Sequence, residues 1–367
     1  MKIRNTILLA LFTLFFACNK QQPEQKGTPV IILKESKDIL PISSFTSKVD
    51  YLELKVSEVG VELGEIEDVK IIDDDLIIKH RMAGMNRFIR FTKGGDFVIE
   101  IVGDKTSQIK KPEDLIAYKD GYAVLAENGI HAITREGKYL QQLVRSDTPG
   151  TRFFFADGTF YILNESSLGE VIIKVPSKSM LKSYLLPEIV KRNTYAMVEN
   201  LGREGLHYYS VLNDTVFSYQ KGISKPAYVL CGDEMPTFVH LCDSLPGKNE
   251  KEILKYVRET EHVVVRKYFE NNDYIYLSYW VGSDPTTAIY NKKSEEIRYF
   301  GFGVNDLDGG MWDEILFLSD KNELYIPITA YKISGHKISN KKVKGFDRLQ
   351  AQIAKSGNPV LMRCKLR

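Results

Sequence analysis

The sequence predicts an all-β fold, a six-bladed β-propeller of four-stranded antiparallel blades with one short helical insertion. The first observation is a hairpin written twice. RFIRFTKGGDFVIEIV, residues 87 to 102, is echoed 42 positions later by IHAITREGKYLQQLV, with Phe91-Thr92-Lys93 answered by Ile133-Thr134-Arg135, Gly95 by Gly137, and Phe97-Val98 by Tyr139-Leu140. The second is a recurring turn that leads into a β run, at Asp75-Leu76, Asp120-Gly121, Asp157-Gly158, Asn272-Asp273 and Lys321-Asn322. The anchors are spaced by 45 and 37 residues and then, after a gap of 115, by 49. The third is that β-branched and aromatic residues fill the runs between these turns. Repeats of roughly 40 to 50 residues are the mark of four-stranded units that bury their faces only by stacking round a ring.

The chain opens with MKIRNTILLALFTLFFACNK, in which Lys2 and Arg4 precede an apolar stretch from Ile7 to Ala17. That stretch is too short to span a bilayer and suits a cleaved secretory signal over residues 1–17. Its Phe-Phe-Ala-Cys end resembles a bacterial lipobox, which implies cleavage before Cys18 and diacylglycerol on the Cys18 thiol. Residues 18–47 then read as a tether and N-terminal segment: NKQQPEQKGTP is polar and linker-like, and VIIL at 30–33 is a short β-prone run. From residue 48 to 367 the pattern is that of the propeller. VDYLELKV, from Val49, is expected to complete the last blade beside the C-terminal NPVLMRCKLR. Five anchors and a unit inferred at EGLHYYSVLNDTVFSY give six blades. LPGKNEKEILKYVRETEH, residues 245–262, carries Ile253, Leu254 and Val257 at helical spacing and is the expected helix.

Without residues 1–17 the 50 basic side chains fall by two, Lys2 and Arg4, to 48 against 48 acidic ones. A neutral mature chain lacks the basic footprint of a nucleic-acid binder. Three cysteines follow Cys18. Cys231 and Cys242 are near enough in sequence to bridge in an exported protein, and none of the three has zinc-site spacing.

No G-x-S-x-G elbow, P-loop, H-E-x-x-H or dinucleotide fingerprint is present. NDLDGG at 305–310 offers Asn305, Asp306 and Asp308 as oxygen donors for Ca²⁺, the one cofactor for which the sequence has a place. The same residues suit a tight turn. YIYLSYWVGSDPTTAIY places Tyr274, Tyr276 and Trp280 on one strand face and Tyr279 on the other. Trp280 with Asp284, and Trp312 with Asp313, pair an aromatic face with a carboxylate, which suits glycan or peptide recognition. The alternative use of these rings is packing between blades.

The order of these features resembles the six-bladed β-propeller lipoproteins of Gram-negative bacteria, which are distantly similar to NHL-repeat propellers. The resemblance rests on the aromatic-turn-Gly-aromatic hairpins of the first two blades, and on Asn213-Asp214-Thr215-Val216-Phe217 with Lys225-Pro226-Ala227-Tyr228. It also rests on Asn305-Asp306 with Asp308-Gly309-Gly310, and on Asn358-Pro359-Val360-Leu361. Where members often carry a glycine-rich Gly-Pro-Glu loop, this chain has VGDKTSQIKKPEDL, keeping Pro112-Glu113. The resemblance implies no established activity. It does imply an envelope location, with Asn19 after Cys18 favouring the outer membrane. The lack of an acidic surface-export run in the tether NKQQPEQK leans the expectation to the periplasmic face over the cell surface.

The expected function is therefore a membrane-anchored, non-catalytic propeller that binds a glycan, peptide or envelope protein. The alternative is a metal-dependent, lactonase- or lyase-like propeller enzyme acting on a carbohydrate or lactone. A third reading makes residues 245–262 the docking element of an envelope complex.

Overall fold

The structure is a computed structural model that describes residues 28–103, 108–145, 150–163, 172–175, 195–198, 206–210, 214–220, 223–232, 263–307, 314–335 and 345–367. The chain begins with β1 (Val30–Leu33), β2 (Ile39–Pro41) and β3 (Thr46–Glu53). A first blade follows from β4 (Glu65–Ile72), β5 (Asp75–Met82), β6 (Met85–Phe91) and β7 (Phe97–Val102). The second is β8 (Pro112–Tyr118), β9 (Gly121–Ala126), β10 (Gly129–Thr134) and β11 (Tyr139–Val144). Next come β12 (Arg152–Ala156), β13 (Thr159–Leu163) and β14 (Ile172–Val175), a three-stranded sheet.

β15 (Tyr195–Val198), β16 (Leu206–Ser210), β17 (Thr215–Gln220) and β18 (Ile223–Gly232) make another blade, whose free edge β1 joins in parallel. β19 (Val263–Glu270), β20 (Tyr274–Val281), β21 (Asp284–Asn291) and β22 (Glu296–Phe300) form the next, and β23 (Phe302–Val304) pairs in parallel with β2. The last sheet holds β24 (Phe317–Leu318), β25 (Glu323–Ile328) and β26 (Val360–Leu366), and β3 completes it. The expected closure is found: Glu53 lies opposite Val360 and Val49 opposite Cys364. Two helices, α1 (Ala330–Ser334) and α2 (Phe346–Ser356), lie in the connection between β25 and β26.

The repeat anchors are all the turns between the first and second strands of a sheet. Asp73, Asp74, Lys119, Asp157 and Asn322 hold the positive φ such turns need. An anchor marks that turn but does not guarantee four strands behind it. The expectation of six four-stranded blades is accordingly corrected to five. The sheet begun at the Asp157 anchor has three strands among the described residues.

The sheets stand round one axis with their first strands innermost: β12 touches β8 and β15, β15 touches β19, and β24 touches both β19 and β4. An apolar cluster fills each gap between neighbours. Leu52, Val69, Ile78 and Leu361 join the last sheet to the first, and Ile77, Phe88, Leu115 and Val124 join the first to the second. Farther round, Phe154 and Leu163 meet Tyr208 and Tyr219. Ile31 and Leu33 of β1 enter the gap beside Val265, Leu277 and Tyr279. Each sheet thus buries both faces against others, which no single unit achieves alone.

The repeated hairpin has a geometric cause. Gly95 and Gly137 occupy equivalent turns between third and fourth strands, with φ of 83° and 73°. Each amide donates to a threonine carbonyl three residues back, Gly95 to Thr92 and Gly137 to Thr134. A methyl group at either place would strike the outermost strand of the preceding sheet, at Glu53 O and Ile101 O respectively. Only glycine meets both the backbone angle and the close approach.

Candidate ligand-binding rim

The innermost strands of three blades carry the same irregularity. Register shifts fall between Ile66 and Asp68 in β4, Pro112 and Asp114 in β8, and Val265 and Lys267 in β19. One extra residue in each strand, Glu67, Glu113 or Arg266, makes a β-bulge, and bulges re-aim the side chains around them. The charged side chain that follows each bulge is buried: Asp68, Asp114 and Lys267. All three bulges lie near the start of their strand and so on the same rim of the ring.

These charges meet across the inner wall. Arg152, at the start of β12, places Nη1 2.7 Å from Asp68 Oδ2 and 3.2 Å from Asp114 Oδ1. Lys70 Nζ donates to Asp114 Oδ1 at 2.5 Å and to the Leu115 carbonyl at 2.9 Å. The backbone N–H of Phe153 donates to Asp114 Oδ2 at 3.3 Å. Burial alone would raise the Asp114 pKa, but Lys70 and Arg152 outweigh it and hold the carboxyl below its usual range. Lys267 Nζ donates to the Ile315 carbonyl at 3.1 Å and lies 3.2 Å from Glu314 Oε1. Burial lowers the Lys267 pKa, and Glu314 opposes that shift. Nearer the first two blades, Lys79 stands 3.7 Å from Glu67 and 3.5 Å from Glu113. Burial raises the Glu113 pKa against the pull of Lys79. Among the described residues no three His, Cys, Asp or Glu are placed to hold a metal.

Above this network sits Trp280. The Arg266 guanidinium lies 4.4 Å from the centre of its ring, a cation–π stack, and reaches Glu314 Oε1 at 3.9 Å. Trp280 lies across the ladder from Val264 and Pro285, next to the two-residue turn between β20 and β21. Asp284, on the far side of that turn, is 48% exposed and lies 3.4 Å from Lys37. Trp280 and Asp284 thus share the bulged rim. Trp312 and Asp313 lie outside the described residues, and Glu314 lies on this rim beside Arg266 and Lys267.

The neighbouring tyrosines are used for packing. Tyr274 and Tyr276 enter one inter-blade core and Tyr279 the next, on opposite faces of β20 as the alternation predicts. Asn305 Nδ2 donates to the Tyr51 hydroxyl at 3.2 Å, and Asn305 Oδ1 accepts from Leu307 N at 3.2 Å. Asp306 accepts from Ser43 N at 3.0 Å and Ser43 Oγ at 2.6 Å, pinning the N-terminal segment. Cys231 is a free thiol on β18. Cys18, Cys242, Asp308 and residues 245–262 lie outside the described residues.

Sequence reasoning passed over the ring of charges. Its signal was Glu67-Asp68-Val69 repeated as Glu113-Asp114-Leu115, with Arg266-Lys267-Tyr268 as a third version of opposite sign. The helices α1 and α2 were also missed, although Phe346, Leu349 and Ile353 keep helical spacing between Gly345 and Gly357. No helix among the described residues is long and apolar enough to cross a membrane.

A second polar cluster ties two blades together. His207 Nδ1 is 2.8 Å from Glu270 Oε2, the Tyr268 hydroxyl donates to the same oxygen, and Lys292 pairs with Oε1. Burial opposes ionisation of Glu270, yet His207 and Lys292 keep its pKa below the ordinary value. With His207 and Glu270 side chains 2% and 0% exposed, this is an interior tie and not a surface site.

Ring, bulged inner strands and rim define the chain as a β-propeller. It belongs to the family known as the domain of unknown function DUF4934, whose model matches residues 28–365. The chain is similar to a solved exported protein from Bacteroides fragilis, with a TM-score of 0.69 and 13% identity over 92% of this chain and 99% of that one. A DUF4221 family member from Bacteroides vulgatus matches with a TM-score of 0.46 and 10% identity, over 88% and 97% of the two chains. The Neurospora crassa Pan2 WD40 domain matches with a TM-score of 0.37 and 9% identity, over 87% and 96%. No curated protein sequence matches.

Proposed function

We propose that the protein is a membrane-anchored, non-catalytic propeller that binds an extended polar ligand, a glycan or a peptide, on the bulged rim. The observation that carries this reading is the contrast between the two rims. Among the described residues the opposite rim shows short turns such as 73–74, 119–120 and 157–158, whereas the connection between β25 and β26, which carries α1 and α2, leaves from the bulged rim. Binding residues concentrate on such connections, held by a rigid scaffold. Trp280 and Arg266 supply a flat stacking surface there, and Asp284 and Glu314 supply acceptors at its edges. The chain is carried to the envelope by residues 1–17 and anchored through Cys18 to the outer membrane, facing the periplasm. The lipobox-like sequence and Asn19 support the outer-membrane anchor, and the lack of an acidic run in NKQQPEQK supports the periplasmic face.

A metal-dependent enzyme would need Asp68, Asp114 and Glu314 to face a cation. Each already faces a basic side chain, Arg152, Lys70 or Lys267. A divalent ion would have to displace these, so the donor set favours binding without a metal.

The test is a glycan and peptide array probed with the full mature protein, alongside Trp280→Ala and Asp284→Ala. The expected result is a defined ligand class whose affinity drops roughly tenfold or more in the Trp280 variant, the scale of a central aromatic contact. Undiminished binding by both variants would remove the rim from consideration. A Ca²⁺-dependent rise in melting temperature abolished by Asp114→Asn would reinstate the metal reading.

A further inference from the structure

Large apolar side chains are exposed singly over much of the described surface, but five of the thirteen fall on one N-terminal stretch and the strand it pairs with. They are Val30, Ile32, Ile39, Phe302 and Val304. In the parallel pair β2–β23, Ile39 lies opposite Phe302 and Pro41 opposite Val304. Strand alternation turns Leu40 towards the core between the last two blades and buries Gly303. The other four form an outward plate, with Ile39 65% and Phe302 59% exposed. Contiguous apolar surface of this kind marks an interaction site, whereas isolated exposed residues need no explanation.

What covers the plate is indicated by the chain upstream. Residues 19–27, NKQQPEQKG, contain a single apolar side chain, Pro23, too little to cover it. Immediately before them stands Cys18, the residue read as carrying the lipid once residues 1–17 are removed. Thr28 lies ten positions after Cys18, a reach of at most about 35 Å fully extended. An anchor at Cys18 therefore holds this stretch next to a bilayer. The tether raises the local concentration of lipid so that a small apolar contact suffices, just as two weak membrane signals act together.

We propose that the β2–β23 plate seats the propeller on the lipid bilayer, with Ile39, Pro41, Phe302 and Val304 entering the boundary between headgroups and acyl chains. This rests on the membrane-anchor reading of the N-terminus, and the experiment separates the two. The full lipidated chain is reconstituted into vesicles of phosphatidylethanolamine with a minority of phosphatidylglycerol, with or without brominated acyl chains. Phe302→Trp is compared with Leu140→Trp, a site 56% exposed on the outermost strand of the β8–β11 blade. The expected result is tryptophan emission quenched severalfold more at 302 than at 140, with the difference abolished by adding Ile39→Ser and Pro41→Ser. These side chains are already in water, so the fold is retained. Equal quenching in a chain that still floats with vesicles would overturn the seating while leaving the anchor intact. Failure to float would bring down both. Conversion of a dimer to a monomer by Phe302→Ser would assign the plate to a second copy of the chain and also overturn the proposal.

Discussion

Substituting Asp114 by asparagine removes one buried charge while keeping the side chain's shape. Asp114 is fully buried and accepts from Lys70, Arg152 and the Phe153 amide. Deleting one partner of a buried ion pair costs about 3–5 kcal/mol. Two features reduce that here. Arg152 keeps Asp68 and Lys70 keeps the Leu115 carbonyl, and their side chains are 24% and 23% exposed, so water screens part of the loss. The expected destabilisation at neutral pH is therefore about 2–3 kcal/mol. Unfolding entropy of about 2.1 cal/mol/K per residue over roughly 340 residues turns this into a fall of about 3–4 °C in Tm.

The sign of the pH dependence follows from the depressed pKa of Asp114. Its stabilisation is complete above the unfolded value near ~3.9 and is lost as pH falls through the lower folded value. The wild-type curve should converge on that of the variant in acid. Urea unfolding of Asp114→Asn, Arg152→Met and the double variant measures the coupling directly, and the double variant should fall short of the sum by about 1–3 kcal/mol. Strict additivity, or an asparagine variant as stable as wild type at pH 7, would refute the idea that this network holds the inner wall.

Two further outcomes follow from the fold. His80 is buried, accepts from Gly64 N at 3.1 Å through Nδ1, and has its pKa pushed down to about 4 by burial and by Arg87. An unfolded histidine takes up its proton near ~6.5, so stability should fall by about 2–3 kcal/mol between pH 6.5 and 4. His80→Gln should flatten that part of the curve, as urea titrations at several pH values would report. Gly95→Ala and Gly137→Ala should each cost more than about 1 kcal/mol and by similar amounts, because each combines positive φ with a collision against a neighbouring strand. Thermal melts that left either variant unchanged would contradict the equivalence of the two turns.

The repeated hairpin and the turn anchors were legible in sequence because their causes are local. Positive φ at a tight turn and alternation along a strand depend on a few consecutive residues, and so Gly95, Gly137 and Asp157 could be placed without a structure. The closing of the ring by Val49 to Glu53 was legible for a related reason: an array of blades leaves apolar faces at its ends, and the two β runs at the chain's extremes are the ones available to cover them. That the β12–β14 sheet has three strands among the described residues was not legible, since a turn anchor carries no information about the strands farther out. Nor was the charged inner wall. Asp68, Lys70, Asp114 and Arg152 are spread over some 85 positions, and Lys267 and Glu314 over nearly 50, and only the stacking of blades brings each set within reach. Read along the chain, each is an ordinary polar residue in a strand. The same holds for the plate of Ile39, Pro41, Phe302 and Val304, whose exposure depends on which face of a two-stranded ribbon the rest of the ring leaves uncovered. Local backbone preference thus set the repeating unit, and long-range packing decided which of its side chains meet and which remain in water.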